Sequence, residues 1–248
     1  MFLGADSKSI DRISQYKNVV IDIDEFDQAS ISSLKDRGSS IYSYLSIGSL
    51  EKYRPYYEEY KDLTFLDYEN WPDERWIDVS NTSWQEHLLS EADRLKGLGS
   101  EGIFMDNFDV YYIVCEEYEC STSFKEGIYQ GLYHILDELS KKDFKLIINS
   151  GTDFLERLSE EKPSMLNKIS CYCQECVFSS IEDYEHDVFG KQDKETTDYY
   201  KSIIKIMKPY ADILLLEYTI DESLIQKIES YSKTNGFYYY ISSSVNLN

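Results

Sequence analysis

The stretch GIFMDN, residues 102–107, decides the fold of this chain. Its apolar run predicts a buried β-strand, and the strand closes on two polar residues, Asp106 and Asn107. An amphipathic helical pattern precedes the stretch, and a second one follows it. A buried strand between two helices is the unit from which parallel α/β sheets are built.

The two neighbouring helices have recognisable start and stop signals. Ser83 with Glu86, and Ser123 with Glu126, have the spacing of capping boxes, so we expect them to begin the two helices. Gly97 and Gly99 are expected to end the first of them.

Seven further stretches have the same strand-like character, and helical patterns lie between them. With the first stretch they predict eight strands, at residues 18–23, 40–46, 75–79, 102–107, 144–149, 169–177, 212–218 and 236–242. Eight βα units in 248 residues predict a (β/α)8 TIM barrel that spans residues 1–248 as one domain. Only six residues follow the last strand, so a final helix is missing, and we expect residues 7–16 to cover its place.

The charge balance excludes several classes of partner. There are 46 acidic residues against 25 Lys and Arg, a net charge of −21. Phosphate and anionic lipid would be repelled, so the sequence predicts no binding to nucleic acid or to an anionic membrane surface. A cationic substrate would be attracted, although solubility in a saline habitat explains the same charge.

Tyrosine is the second compositional signal, with 23 Tyr against 11 Phe. Tyrosine offers an apolar face and a hydroxyl group, which suits carbohydrate ligands, although drift in composition gives the same count. No apolar run is long enough to insert into a membrane. The first ten residues lack the pattern of a signal peptide, so the chain as written reads as cytoplasmic, or as extracellular if it is an excised domain.

The five cysteines leave three interpretations open. They lie at Cys115, Cys120, Cys171, Cys173 and Cys176. Free buried thiols, a disulfide and a structural zinc site are the alternatives, and we expect neither a metal nor a cofactor in the functional site. The three histidines lie in or near predicted helices and are expected to pack there rather than to bind a ligand.

Acids and amides close nearly every predicted strand, which is where barrel enzymes carry their chemistry. Within residues 102–107, Asp106 shares a face with Phe104, and within residues 169–177, Glu175 shares a face with Cys173. If those faces point inward, Asp106 and Glu175 lie together at the mouth of the barrel. Two such carboxylates are the usual machinery of glycoside hydrolysis, although a single acid at a strand end is more often a cap or an ion-pair partner.

Five blocks of the sequence also resemble glycoside hydrolase family 114, the endo-α-1,4-polygalactosaminidases and their relatives, over about residues 17–242. The blocks are VVIDIDEF, YLSIGSLEKYRPYY, NWPDERWIDV, WQEHLL and GIFMDNFDVY. The resemblance implies Asp106 and Glu175 as the catalytic pair, with Asp106 as nucleophile or base and Glu175 as acid. Residues that match family positions are Asp22, Tyr44, Ser46, Arg54, Trp71, Asp78 and Asn149. Together with Asn107 and Tyr218 at strand ends and with Asp109, they are expected to bind substrate.

The implied substrate is a partly de-N-acetylated galactosamine polysaccharide, which is cationic at neutral pH and fits the acidic chain. Trp71, Tyr44, Tyr112 and Tyr218 are expected to offer faces to its rings or ammonium groups. The chain departs from the family pattern at Ser49, where an acid is common, and at residues 149–151, which read Asn-Ser-Gly instead of Asn-Gly-Gly. The alternatives are a non-hydrolytic carbohydrate-binding barrel of an exopolysaccharide system and a hydrolase of another glycan. A monomer is expected.

Overall fold

A computed structural model describes residues 1–247 of the chain. Its strands are β1 Asn18–Ile21, β2 Ser40–Ser46, β3 Ser49–Glu51, β4 Thr64–Asp67, β5 Glu74–Ile77, β6 Gly102–Asp106, β7 Lys145–Asn149, β8 Cys171–Glu175, β9 Ser179–Asp183, β10 Val188–Lys191, β11 Asp212–Tyr218 and β12 Tyr238–Ser242.

The α-helices lie between the strands of the main sheet or in its connections. They are α1 Ile10–Ile13, α2 Gln28–Asp36, α3 Tyr57–Tyr60, α4 Thr82–Leu98, α5 Val110–Tyr112, α6 Thr122–Ser140, α7 Thr152–Glu161, α8 Lys194–Met207 and α9 Glu222–Asn235. Short 3-10 helices occupy Ser7–Ser9, Ile23–Glu25, Lys61–Leu63 and Pro163–Lys168, and Ile113–Glu117 forms a π-helix.

The main sheet is parallel and has the strand order β1-β2-β6-β7-β8-β11-β12. At its first edge Phe2 forms a parallel bridge with Ile21 of β1. The Phe2 ring also contacts two tyrosine rings. Its centroid lies 5.2 Å from that of Tyr16 and 5.8 Å from that of Tyr240 on β12. The N-terminal residues therefore lie between the first and last strands, and the sheet curls into a TIM-barrel-type α/β fold.

The expected strand at residues 75–79 is the one strand that the prediction misplaces. The observed β5 covers Glu74–Ile77 and pairs antiparallel with β3 and β4 in a separate three-stranded sheet. In the main sheet β2 pairs directly with β6 instead. The remaining seven stretches all contribute strands to the parallel sheet.

Alternation along the strands divides the buried side chains into two layers. Val20, Phe104, Ile147 and Cys173 belong to a cluster inside the curled sheet. Their neighbours along the strands, such as Ile103, pack in a larger cluster beneath the helices. The inward direction expected for the face of Phe104 and for the face of Cys173 is confirmed.

The N-terminal segment covers the open edge of the sheet, as expected. Between β12 and residue 247 the chain forms turns and no helix. Arg12 of α1 lies over the Phe2 ring at 5.2 Å, and Tyr16 contacts the same ring. The α1 segment therefore packs against Phe2, the residue that links the first strand to the last.

Both expected capping boxes are wrong by about two residues. The α4 helix begins after Asn81, whose side chain accepts a hydrogen bond from the Ser83 backbone N–H, and α6 begins after Ser121, which caps Phe124 in the same way. The expected end of α4 is confirmed at Gly99, its left-handed C-cap, whereas Gly97 lies inside the helix. Asn and Ser are equally good N-caps, so one further polar residue upstream shifts the start of a helix.

The cysteines and histidines lie in different surroundings. Each of the five cysteines is a free thiol; Cys115 and Cys120 pack against the outer cluster, while Cys171, Cys173 and Cys176 belong to the inner one. His87 packs against Trp84 on α4, and His134 is exposed on α6. His186 differs from expectation, because it lies in the β9–β10 hairpin and bonds to Asp183.

Candidate active site

A cavity of about 450 Å³ opens at the carboxyl ends of the parallel strands; we call it the central cavity. Most of the residues expected to bind or cleave substrate line it: Asp22, Tyr44, Trp71, Asp106, Asn107, Asp109, Asn149, Glu175 and Tyr218. The sequence expectation that strand ends converge on one face is thus met by residues of β1, β2, β6, β7, β8 and β11.

Asn149 connects Asp106 and Glu175. Its Nδ2 donates to Asp106 Oδ1 at 2.9 Å and to Glu175 Oε1 at 2.6 Å. Because one nitrogen reaches both oxygens, those oxygens are at most about 5.5 Å apart. Asn149 Oδ1 is buried and has no hydrogen-bond partner among residues 1–247, so within this part of the chain the two carboxylates orient the amide.

Glu175 holds its proton more tightly than an ordinary glutamate. Burial, followed by the charge of Asp106, raises the pKa of its carboxyl group to about 7. Hydrogen bonds from Asn149 and from the Tyr218 hydroxyl, at 2.9 Å, oppose the shift because they favour the charged form. A carboxyl group with these neighbours is partly protonated near neutral pH, which suits a general acid.

Asp106 shares the Asn149 amide with Glu175 but has a different second hydrogen-bond partner. Burial raises the pKa of Asp106, while the amide of Asn149 and the backbone N–H of Asn107 oppose the shift. The Asn107 N–H lies 2.9 Å from Asp106 Oδ1. Two neighbouring buried acids with different partners are suited to divide the roles of nucleophile and acid between them.

The backbone turns sharply after each of these three side chains. Asn107, Ser150 and Cys176 directly follow Asp106, Asn149 and Glu175, and their φ angles are 64°, 51° and 54°. Such left-handed angles are uncommon for residues with a side chain and persist where the surroundings fix them. The three turns redirect the chain immediately behind the residues that meet in the cavity.

A buried ion-pair cluster forms one wall of the site. Arg54 Nη2 lies 2.9 Å from Asp22 Oδ2, and Arg54 Nε lies 2.5 Å from Glu51 Oε2. The Arg54 side chain is only 10% exposed, so these carboxylates neutralise a charge that water reaches poorly. Arg54 itself does not line the central cavity; it positions Asp22 and Glu51, which do.

Glu51 and Glu74 line the cavity, although sequence reasoning did not select either of them. Glu74 Oε2 accepts a hydrogen bond from Ser49 at 2.6 Å, and burial, followed by the charge of Glu51, raises the pKa of Glu74 to about 8. Glu51 lies in β3 and Glu74 in β5, both outside the parallel sheet. A search for acids at the ends of the parallel strands therefore does not select them. The available signal was the spacing of Glu51 and Arg54, three residues apart.

Three expected site residues lie outside the central cavity. Asp78 accepts hydrogen bonds from the Ser80 backbone and hydroxyl in the turn before α4. Ser46 accepts a bond from Asn107 Nδ2 and contacts Ser49, so it acts beneath the site. Arg54, described above, is the third. Tyr112, expected as a sugar platform, also lies outside and borders a neighbouring cavity.

Aromatic rings frame the opening. Trp71, in the β4–β5 loop, contacts Tyr184 of the β9–β10 hairpin with ring centroids 5.9 Å apart. Tyr44 and Tyr218 lie deeper in the inner cluster. Aromatic faces beside carboxylates are typical of carbohydrate sites, because sugar rings have an apolar face and a polar edge.

The described part of the chain has no helix that is long and apolar enough to cross a membrane.

Two adjacent carboxylates over a polar cavity, at the carboxyl face of a TIM-barrel-type fold, are the features of a glycoside hydrolase. The sequence model of glycoside-hydrolase family GH114 matches residues 3–247. The chain belongs to this family and is a glycoside hydrolase.

Solved structures share the fold at low sequence identity. The glycoside hydrolase domain of PelA from Pseudomonas aeruginosa is 20% identical with a TM-score of 0.81, over 99% of this chain and 94% of that one. Ega3 from Aspergillus fumigatus, in complex with galactosamine, is 18% identical with a TM-score of 0.69, over 94% and 85%. An α-galactosidase from Thermus thermophilus is 10% identical with a TM-score of 0.59, over 94% and 53%. No curated protein sequence matches the chain.

Proposed function

We propose that this glycoside hydrolase cleaves an α-1,4-linked, partly de-N-acetylated galactosamine polysaccharide, with Asp106 as nucleophile and Glu175 as acid and base. The observation that carries the catalytic assignment is the single Asn149 amide that joins the two carboxylates. Membership of family GH114 and the galactosamine bound to Ega3 support the substrate.

The separation of the two carboxylates supports retention of configuration. Retaining glycosidases hold their carboxyl groups about 5–5.5 Å apart, whereas inverting enzymes leave about 6.5–9.5 Å for a water molecule. The bridged oxygens of Asp106 and Glu175 are at most about 5.5 Å apart. The site therefore has the spacing for direct attack by one carboxylate.

The reaction has two balanced steps. In the first, Asp106 attacks the anomeric carbon while Glu175 gives its proton to the departing glycosidic oxygen, so a glycosyl ester forms and the glycosidic bond breaks. In the second, water attacks the same carbon, Glu175 takes the water proton, and Asp106 leaves as a free carboxylate. Each group ends the cycle in its starting state, and the cycle uses no cofactor.

The electrostatics of the cavity support a cationic substrate. Six acids line it: Asp22, Glu51, Glu74, Asp106, Asp109 and Glu175. Within residues 1–247, no Lys or Arg lines the same surface. A polymer with free amino groups would be drawn to this cavity, and a neutral polymer would gain nothing from it.

The test is release of oligosaccharides from partly de-acetylated α-1,4-galactosaminogalactan. The wild type is expected to release them, and Glu175→Gln is expected to bind the polymer but to lose at least about 100-fold in kcat. Glu160→Gln, an exposed change of the same kind on α7, is the matched control and should retain full activity. Binding by the wild type without release would indicate a binding barrel, and neither binding nor release would mean that this polymer is the wrong substrate.

A further inference from the structure

A second cavity, of about 590 Å³, lies beside the central cavity; we call it the side cavity. Tyr68, Asp109 and Tyr200 line both, so the two spaces meet at these residues. The side cavity extends over the β4–β5 loop, the α5 region and the start of α7. No part of the two-carboxylate chemistry described above uses it.

The lining of the side cavity combines acids with aromatic faces. Asp67, Glu69, Asp109, Glu117 and Asp153 are its acids, and none of the described lysines or arginines lines it. Tyr112 is 38% exposed, and burial, followed by the charges of Glu117 and Asp153, raises its pKa. A ring face bordered by carboxylates is suited to a cationic ring and poorly suited to a neutral or anionic one.

Asp109 lies at the junction of the two cavities. Its Oδ1 accepts a hydrogen bond from the Gly151 N–H at 3.1 Å. Burial raises the pKa of this carboxyl group to about 7, and the charges of Asp106 and Glu175 act in the same direction. A carboxyl group that lines both cavities is placed to accept a hydrogen bond from a ligand that spans them.

We infer that the side cavity binds further amino-sugar units of the same polymer chain that is cleaved in the central cavity, with Asp109 at the junction between them. This inference rests on the proposed function, because it extends that substrate beyond the bond that is broken. It makes the enzyme sensitive to chain length: a long de-acetylated chain fills both cavities, and a short one fills only the central cavity. Binding energy from the distant units would then lower KM for long chains.

The experiment compares de-acetylated α-1,4-galactosamine oligomers of increasing length on the wild type and on the double variant Asp153→Asn, Tyr112→Ala. Both side chains are part-exposed or exposed, so the fold should tolerate the changes. For the wild type, kcat/KM is expected to rise with length until the side cavity is filled. For the double variant, the ratio of long-chain to short-chain kcat/KM is expected to fall about tenfold.

The control is Asp143→Asn, which removes one exposed acid ahead of β7, at the opposite end of the barrel. It should keep the wild-type ratio. An unchanged ratio in the double variant would overturn the inference, and so would an equal loss for all lengths, because a damaged fold would act on every substrate.

Direct binding separates this inference from the proposed function. Affinities of a long and a short oligomer are measured on Glu175→Gln, with and without the side-cavity changes. If the wild type cleaves nothing but the side-cavity changes weaken only the long oligomer, the function fails and the inference stands. If they weaken neither oligomer, the inference fails whatever the wild type cleaves.

Discussion

Tyr218 sets the proton affinity of Glu175 at the scale of a single side chain. Its hydroxyl donates to Glu175 Oε2 at 2.9 Å and stabilises the charged carboxylate. Burial works against that charge, and the result is a pKa of about 7 for Glu175. Since the acid must be protonated to act, kcat/KM of the wild type should decline above about pH 7.

Tyr218→Phe should move this alkaline limb to higher pH. Removing the donor destabilises the carboxylate, so the pKa of Glu175 rises, by about one unit if the bond is worth about 1.5 kcal/mol. The measurement is the pH profile of kcat/KM. Tyr184→Phe is the control, because Tyr184 lines the same cavity without a hydrogen bond to Glu175 in the described chain. An unmoved limb, or one shifted to lower pH, would contradict the assignment of Glu175 as acid.

The alternation of side chains along a strand was enough to predict which of them meet in the central cavity. Asp106 and Glu175 were expected to face inward because they alternate with Phe104 and Cys173, and the inner cluster confirms this. The same alternation does not predict which acids outside the parallel sheet lie over the site. Glu51 and Glu74 reach the cavity only because β3 and β5 pair above it, and pairing partners are not encoded in a local alternation.

Gly48 determines how closely the turn after β2 can approach the turn after β6. A Cβ at this position would lie 2.0 Å from the Asn107 carbonyl oxygen and 2.8 Å from Val110. The turn between β2 and β3 therefore presses against the turn that follows Asp106. Only the absence of a side chain allows this approach.

Gly48→Ala should lower the free energy of unfolding by about 2–4 kcal/mol, because the contact involves backbone and cannot yield cheaply. It should also impair catalysis, since Asn107 holds Asp106. The control is Gly97→Ala inside α4, where a Cβ meets nothing within 4 Å and should stabilise by about 0.5–1 kcal/mol. Chemical denaturation of both variants checks the prediction, and equal stabilities for the two would refute it.

The element that the sequence misplaced shows what local patterns omit. Residues 75–79 read as a barrel strand because they are apolar and alternate, and a strand does form there. Its partner is decided by the tight turn at Gly48, which sends β3 back to pair Ser49 with Trp76. Seven strands could be predicted because a helix lies between each strand of the main sheet and the next, which enforces parallel pairing. That residues 1–248 form a single domain stays a prediction.

The concentration of buried acids governs stability at the scale of the whole molecule. Burial raises the pKa of Glu74 to about 8, and of Asp109 and Glu175 to about 7. Each folded pKa lies above its unfolded value, so the folded protein binds protons more tightly than the unfolded chain. Stability should therefore increase as the pH falls from 8 towards 5, and decrease as it rises through that window.

Glu74→Gln should flatten this pH dependence, because one of the raised groups no longer titrates. At pH 8 the variant should be more stable than the wild type by about 3 kcal/mol, and at pH 5 the difference should largely vanish. Denaturant titrations at the two pH values measure it, with Glu160→Gln as the exposed control. A wild type that is more stable at pH 8 than at pH 5 would contradict the account.

Asp106 and Glu175 are proposed to cleave a galactosamine polymer by a retaining reaction. The most direct measurement is the anomeric configuration of the first product, followed by proton NMR as the wild type degrades the de-acetylated α-1,4-linked polymer. A retaining reaction on an α-linked polymer predicts reducing ends that appear first as the α anomer. Glu175→Gln is expected to release none. First release of the β anomer would contradict the short carboxylate separation, and release by Glu175→Gln at the wild-type rate would contradict the catalytic pair.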